Sequence, residues 1–167
     1  MTEMNSAPIA PHTLARNPIH LISFGLGSGL SPWAPGTMGT AAALPLVWYL
    51  AQLGLEWYIV LTVVICIIGV WTAGLTARAL GAHDHGAIVI DEVAGILITM
   101  VGVEPSALTL AAGFGLFRLF DIAKPWPIRV VDRKAGGGIG IMADDVLAGV
   151  AAALCLHGLI WCFPSLL

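Results

Sequence analysis

Long apolar runs separated by short polar breaks organise this chain. Residues 39–53 and 57–77 are apolar, and the break between them, Gly54-Leu55-Glu56, is short enough to force an antiparallel hairpin. Apolar character returns over residues 87–103 and 107–120, joined by Glu104-Pro105-Ser106, and again over residues 146–163. The pattern predicts an all-α, polytopic membrane protein of about four to five membrane helices. Residues 87–103 and 107–120 fall short of the ~20 residues of a perpendicular span, so a thin spanning pair and a re-entrant hairpin are both open. Residues 18–30 are apolar but brief and glycine-rich, which predicts a short interfacial or re-entrant segment. Residues 1–17 lack apolar periodicity and read as a flexible cytoplasmic tail, leaving residues 18–167 as a single membrane-embedded domain. Residues 121–145 read as a loop rich in charge, proline and glycine.

Composition sharpens this picture. Charged residues make up 10% of the chain and mean hydropathy is +0.92, whereas soluble domains carry roughly 25% charge. A net charge of −3 argues against a nucleic-acid partner. Cys66, Cys155 and Cys162 lie unpatterned in apolar runs and read as small core residues. Trp48, Tyr49, Trp57 and Tyr58 flank the first hairpin turn, as an interfacial aromatic belt would. With the helices alternating as drawn, Arg16, Arg78, Arg118, Lys124, Arg129, Arg133 and Lys134 share one side, which the positive-inside rule makes cytoplasmic.

The acids gather on that same side. Asp91-Glu92 and Asp144-Asp145 each precede an apolar run, and His83-Asp84-His85 lies just upstream of the first pair. Acids at a helix start can simply cap it. Neighbouring helical residues point ~100° apart, however, so one member of each pair can cap while the other faces inward. Several carboxylates converging at a membrane face call for a compensating cation, and all-oxygen ligation favours magnesium over zinc. The expected ligands are Asp91, Glu92, Asp144 and Asp145. His83 and His85 divide between a structural role and proton transfer or phosphate contact. Arg118, Lys124, Arg129 and Arg133 either contact phosphate or only obey the charge rule and attract anionic lipid. Thr37 or Thr40 could cap the helix after Pro35, whose N-terminus suits a phosphate, although a plain loop and cap also explains that stretch.

Four segments carry a resemblance: LGSGLSPWAPGTMGT (26–40), GAHDHGAIVIDEVAG (81–95), RLFDIAKPWPIRVVDR (118–133) and GGGIGIMADDVLAGV (136–150). In this order they closely resemble the phosphatidylglycerophosphatase A family, with similarity from about residue 17 onward. The resemblance implies a magnesium-dependent lipid phosphatase of the bacterial inner membrane, acting on phosphatidylglycerophosphate at the cytoplasmic face to leave phosphatidylglycerol. The expected working parts are Asp84, His83, His85 and Asp91 in catalysis, and Arg118, Lys124, Arg129, Arg133 and Thr37 on the phosphate. A membrane lipid phosphotransferase or a small ion-binding transporter is the alternative. Oligomeric state is not fixed by the sequence.

Overall fold

The computed structural model describes residues 10–82, 85–134 and 136–163 and, for residues 133 and 134, the backbone alone. Among the described residues there is no strand, so the protein is all-helical. Two short helices come first, α1 (Pro11–Leu14) and α2 (Pro18–Ser23). Asn17 caps α2 by accepting from the Ile19 N–H at 3.0 Å, and Pro18 occupies the first helical position, where a missing N–H costs nothing. A 3-10 segment, Gly25–Leu30, follows. Leu14, Ala15 and Ile22 pack against a core cluster containing Phe24, Ala73, Ile90 and Met142, so this end of the chain is docked from residue 14 on. His20 Nδ1 meets Thr76 Oγ1 at 2.8 Å and fixes α2 to the helix over Leu55–Leu80.

Helix α3 (Pro35–Ala51) starts at Pro35 behind Ala34, which sits in the left-handed region (φ 41°) and supplies no side-chain cap. The expected threonine cap is therefore not what starts this helix. Thr40 Oγ1 instead donates back to the Gly36 carbonyl at 2.9 Å. Helix α4 (Leu55–Leu80) stops at Gly81, where a left-handed residue (φ 66°) closes the last turn. Helix α5 (Ile90–Thr99) has only ten residues. Helix α6 (Ala107–Ala123) opens with a reciprocal Ser106–Thr109 capping box and ends at left-handed Lys124. A short α7 (Ile128–Lys134) leads into α8 (Gly137–Cys162).

Helix α8 is the hub, packing against α4, α5, α6 and α7. Ile96 and Leu97 of α5, Met100 just after it, Phe117 of α6 and Ala148, Ala152 and Leu156 of α8 stand in the main core. Two close approaches set its geometry. A Cβ on Gly149 would lie 2.6 Å from the Gly95 carbonyl oxygen, so α5 and α8 touch backbone to backbone. A Cβ on Gly138 would overlap the Val70 carbonyl of α4. This second contact corrects the expected boundaries. The glycines of 136–140 are not a loop before a helix starting at 146; from Gly137 on they are helix, because a stripe without side chains lets α8 lie against α4. The stretch read as a 121–145 loop thus holds the end of α6, all of α7 and the start of α8.

Helices α4 and α8, at 26 residues each, are long and apolar enough to cross a membrane. Helices α3 and α6 have 17 residues, the lower end of a crossing length, and α5 rises only about 15 Å. Of the expected four to five spans, length and composition mark two candidates among the described residues. The outer face of α4 is apolar and uncovered, with Ile59, Val63, Ile67 and Trp71 exposed.

Candidate functional site

The α3–α4 and α5–α6 connections and the helix ends beside them line a cavity at one end of the helices. At the opposite end the first turn of α3, the start of α5, the end of α6 and Asp144-Asp145 of α8 surround another, of about 380 Å³. Five carboxylates (Asp91, Glu92, Asp121, Asp144, Asp145) and two cations (Arg118, Lys124) line it.

The Gly95–Gly149 contact explains how two of these acids meet. Asp91 lies one helical turn before Gly95 and Asp145 one turn before Gly149, so the point where the backbones touch brings the two side chains together. One oxygen from each of Asp91, Glu92 and Asp145 lies within 4.8 Å of the others. Asp91 is 9% exposed and Asp145 3%. Burial, and then the Glu92 carboxylate beside it, push the Asp91 carboxyl well above the usual carboxylate range. Burial raises Glu92 too, against the opposing effect of its hydrogen bond with Asp91.

The cations are placed with equal care. Arg118 Nη1 donates to Asp121 Oδ2 at 2.5 Å, one turn along α6, and stands 3.8 Å from Glu92 Oε1. Lys124 Nζ bridges Asp132 of α7 and Asp144 of α8 at 2.6 Å each. Burial works against the Lys124 charge, but these two hydrogen bonds outweigh it and raise the ammonium pKa. Gly36 closes the wall, since a Cβ there would run into Glu92 Oε1 and approach Arg118 Nη1 to 3.1 Å.

Two charged side chains in this cavity keep a buried atom without a hydrogen-bond partner, Glu92 Oε2 and Arg118 Nε. Leaving such atoms unmet is costly, more so when the group is charged. An acceptor oxygen beside a donor nitrogen, amid surplus carboxylates, fits a hard cation with an anion next to it. The donors are all oxygen, as magnesium prefers.

Of the expected site residues, Asp91, Glu92, Asp144, Asp145, Arg118 and Lys124 all line this cavity. Asp144 turns to Lys124 rather than into the group of three close carboxylates. Asp144 and Asp145 stand in the second and third turns of α8 rather than at a helix start, so capping does not explain them. His83 and Asp84 lie outside the described residues, as does the side chain of Arg133. His85 accepts from the Ala87 N–H at 3.2 Å and lines a neighbouring cavity, with Gly86 and Pro35 on the wall between. Thr37 and exposed Arg129 do not line the acidic cavity. Asp121, Asp132 and Gly36 were not among the expected site residues. The one-turn spacing of Arg118 and Asp121 was a signal for the first; nothing local marks the other two.

Fold and cavity together define an all-helical, membrane-associated protein with a buried carboxylate centre flanked by cations. The chain belongs to the phosphatidylglycerophosphatase A family, whose model matches residues 21–160. It is 50% identical to phosphatidylglycerophosphatase A of Escherichia coli (strain K12) over 145 residues, covering 84% of this chain and 83% of the relative. It is 43% identical to phosphatidylglycerophosphatase A of Haemophilus influenzae over 156 residues, covering 92% and 94%. A Bacteroides thetaiotaomicron protein named "Putative phosphatidylinositol-3-phosphatase" is 38% identical over 138 residues, covering 78% and 86%. No solved structure matches the chain.

Proposed function

We propose that this protein is a multi-pass lipid phosphatase of the bacterial inner membrane, hydrolysing the terminal phosphomonoester of phosphatidylglycerophosphate to give phosphatidylglycerol. Support comes from the family's name and from one structural observation: Glu92 and Arg118, each keeping a buried polar atom unmet, line a cavity with room for a headgroup. The site lies at the end carrying Arg118, Lys124 and Arg129, which the charge rule makes cytoplasmic.

Asp91, Glu92 and Asp145 would hold Mg2+, with Asp144 completing the acidic wall. Such an ion, when bound, offsets the carboxylate charge and polarises phosphoryl oxygens. Arg118 presents its guanidinium edge to the phosphate, while Asp121 fixes that edge in place. Lys124 is held by Asp132 and Asp144 at the cavity wall, where it balances charge growing on the phosphoryl oxygens. The first turn of α3 adds its positive dipole end. Asp84 or a histidine of the 83–85 stretch moves the proton that the leaving glycerol oxygen requires.

The test is phosphate release by the purified protein from phosphatidylglycerophosphate, with and without chelator, and with phosphatidylinositol 3-phosphate alongside. Release that stops in chelator and returns with Mg2+ is expected. Release indifferent to chelator would remove the metal, and no release from either lipid would remove the phosphatase.

A further inference from the structure

An apolar cavity lies on the other side of α5 from the acidic one. It measures about 300 Å³, and its walls are apolar: Ile22, Leu26, Ala42, Leu46, Ile65 and Val93 among them. We propose that this cavity receives one acyl chain of the phosphorylated lipid substrate, a reading that rests on the lipid phosphatase function above.

Position carries the argument. Ile90 and Val93 face this cavity while Asp91 and Glu92, between them in sequence, face the charged one, so a single turn of α5 separates the two. Along α3, Gly36 touches the charged cavity, and Ala42 and Leu46 line the apolar one. At 1.5 Å per residue the apolar lining on α3 sits about 9–15 Å along that helix from Gly36, while on α5 the two linings share one turn, so the cavity runs from the level of the carboxylates away from the charged end. In the substrate, two glycerols and one phosphodiester separate the terminal phosphate from the acyl esters, so a chain has to enter its site at some such depth. The mouth opens at Leu26, 79% exposed, and at exposed Ala42, on the outer surface of the helices. Leu26 stands there because Gly25, Leu26 and Gly27 all take positive φ, which turns the 3-10 segment outward beside α3. A volume near 300 Å³ is at the lower limit for small-ligand sites. It suits a stretch of one chain, with the other left in the bilayer.

Ala42→Trp would fill the mouth from an exposed position. Its kinetics should be measured on dioleoyl phosphatidylglycerophosphate and on the deacylated headgroup. The expected result is a KM for the dioleoyl lipid raised about tenfold, with kcat/KM for the deacylated compound unchanged. Equal loss on both substrates, or no change on either, would overturn the proposal. A lipid substrate carrying a diazirine in its acyl chain gives a reading independent of the variant's folding. Adducts within residues 22–26 or 42–46 of the wild-type protein, displaced by excess unlabelled substrate, are expected. Adducts confined to the outer faces of α4 and α8, or not displaced by substrate, would refute the assignment. Wild-type protein that releases phosphate from neither compound would refute the phosphatase reading, and cross-linking would still decide the cavity.

Discussion

The two ends of the helices hold cavities of nearly equal size, about 360 and 380 Å³, and only one of the two gathers several charged side chains. The far cavity carries one carboxylate, Glu104, and its tyrosine is already engaged, since Tyr58 donates its hydroxyl to the Leu97 carbonyl at 2.9 Å. The near cavity gathers five carboxylates and two cations and keeps two buried charged atoms unmet. Volume therefore does not distinguish a functional site here. Unspent polar capacity does.

Substitutions that remove this capacity should have the largest effects. Asp91→Asn and Asp145→Asn are each expected to lower phosphate release at least about 10²-fold, the scale of losing one transition-state electrostatic contact. Glu104→Gln at the far end should leave release within about twofold of wild type, given that surface changes rarely matter. Activity surviving in both aspartate variants would erase the contrast between the ends.

Backbone contact gives the next comparison. Gly149→Ala pushes a methyl into the Gly95 backbone, whereas Gly158→Ala meets nothing within 4 Å. The first should cost about 1–3 kcal/mol and, in displacing Asp145 from Asp91, reduce turnover about tenfold. The second should be neutral or slightly stabilising, because alanine favours helix. Thermal melts in detergent, run beside the activity assay, would check both.

Removing Lys124 with Lys124→Met breaks two hydrogen bonds and should reduce release about tenfold, a smaller loss than either aspartate variant. An unchanged rate would return Lys124 to a purely structural role linking α7 and α8.

The smallest effect expected is on stability against pH. Asp91 and Glu92 have pKa values above those of the unfolded chain, so in chelator their contribution is fully present in acid. It is lost as pH rises through the raised values, because the folded state must then give up protons it holds more tightly. Tm should therefore fall by a few degrees over that window, on the scale of about 2–4 °C per kcal/mol, and saturating Mg2+ should flatten the slope. A Tm that climbs with pH in chelator would contradict this electrostatic account.

Much of the fold was legible because the breaks in the apolar runs are unambiguous. The chain does turn near both breaks, at residues 52–54, with Leu55 and Glu56 already in α4, and at Glu104-Pro105-Ser106. The start of α8 was not legible, because Gly136 to Gly140 has a loop's composition and becomes helix only through tight contact with Val70 and Gly74 of α4. Packing there overrides local propensity. In the cavity, charge clustered in sequence was enough to indicate Asp91, Glu92, Asp145 and Arg118. Gly36 and Asp132 matter through partners far along the chain, Glu92 and Lys124, and no spacing rule reveals such partners.

The meeting of Gly95 and Gly149 has a mechanical corollary. It would serve as a fulcrum for any tilt of α8, with Asp145 on an arm of about 6 Å and Cys162 on one of about 20 Å. Rocking that carried the distal tip sideways by roughly 3 Å, the scale of a bilayer-thickness difference, would shift the aspartate by only about 1 Å. A displacement of the distal tip would thus reach the acidic centre reduced to roughly a third.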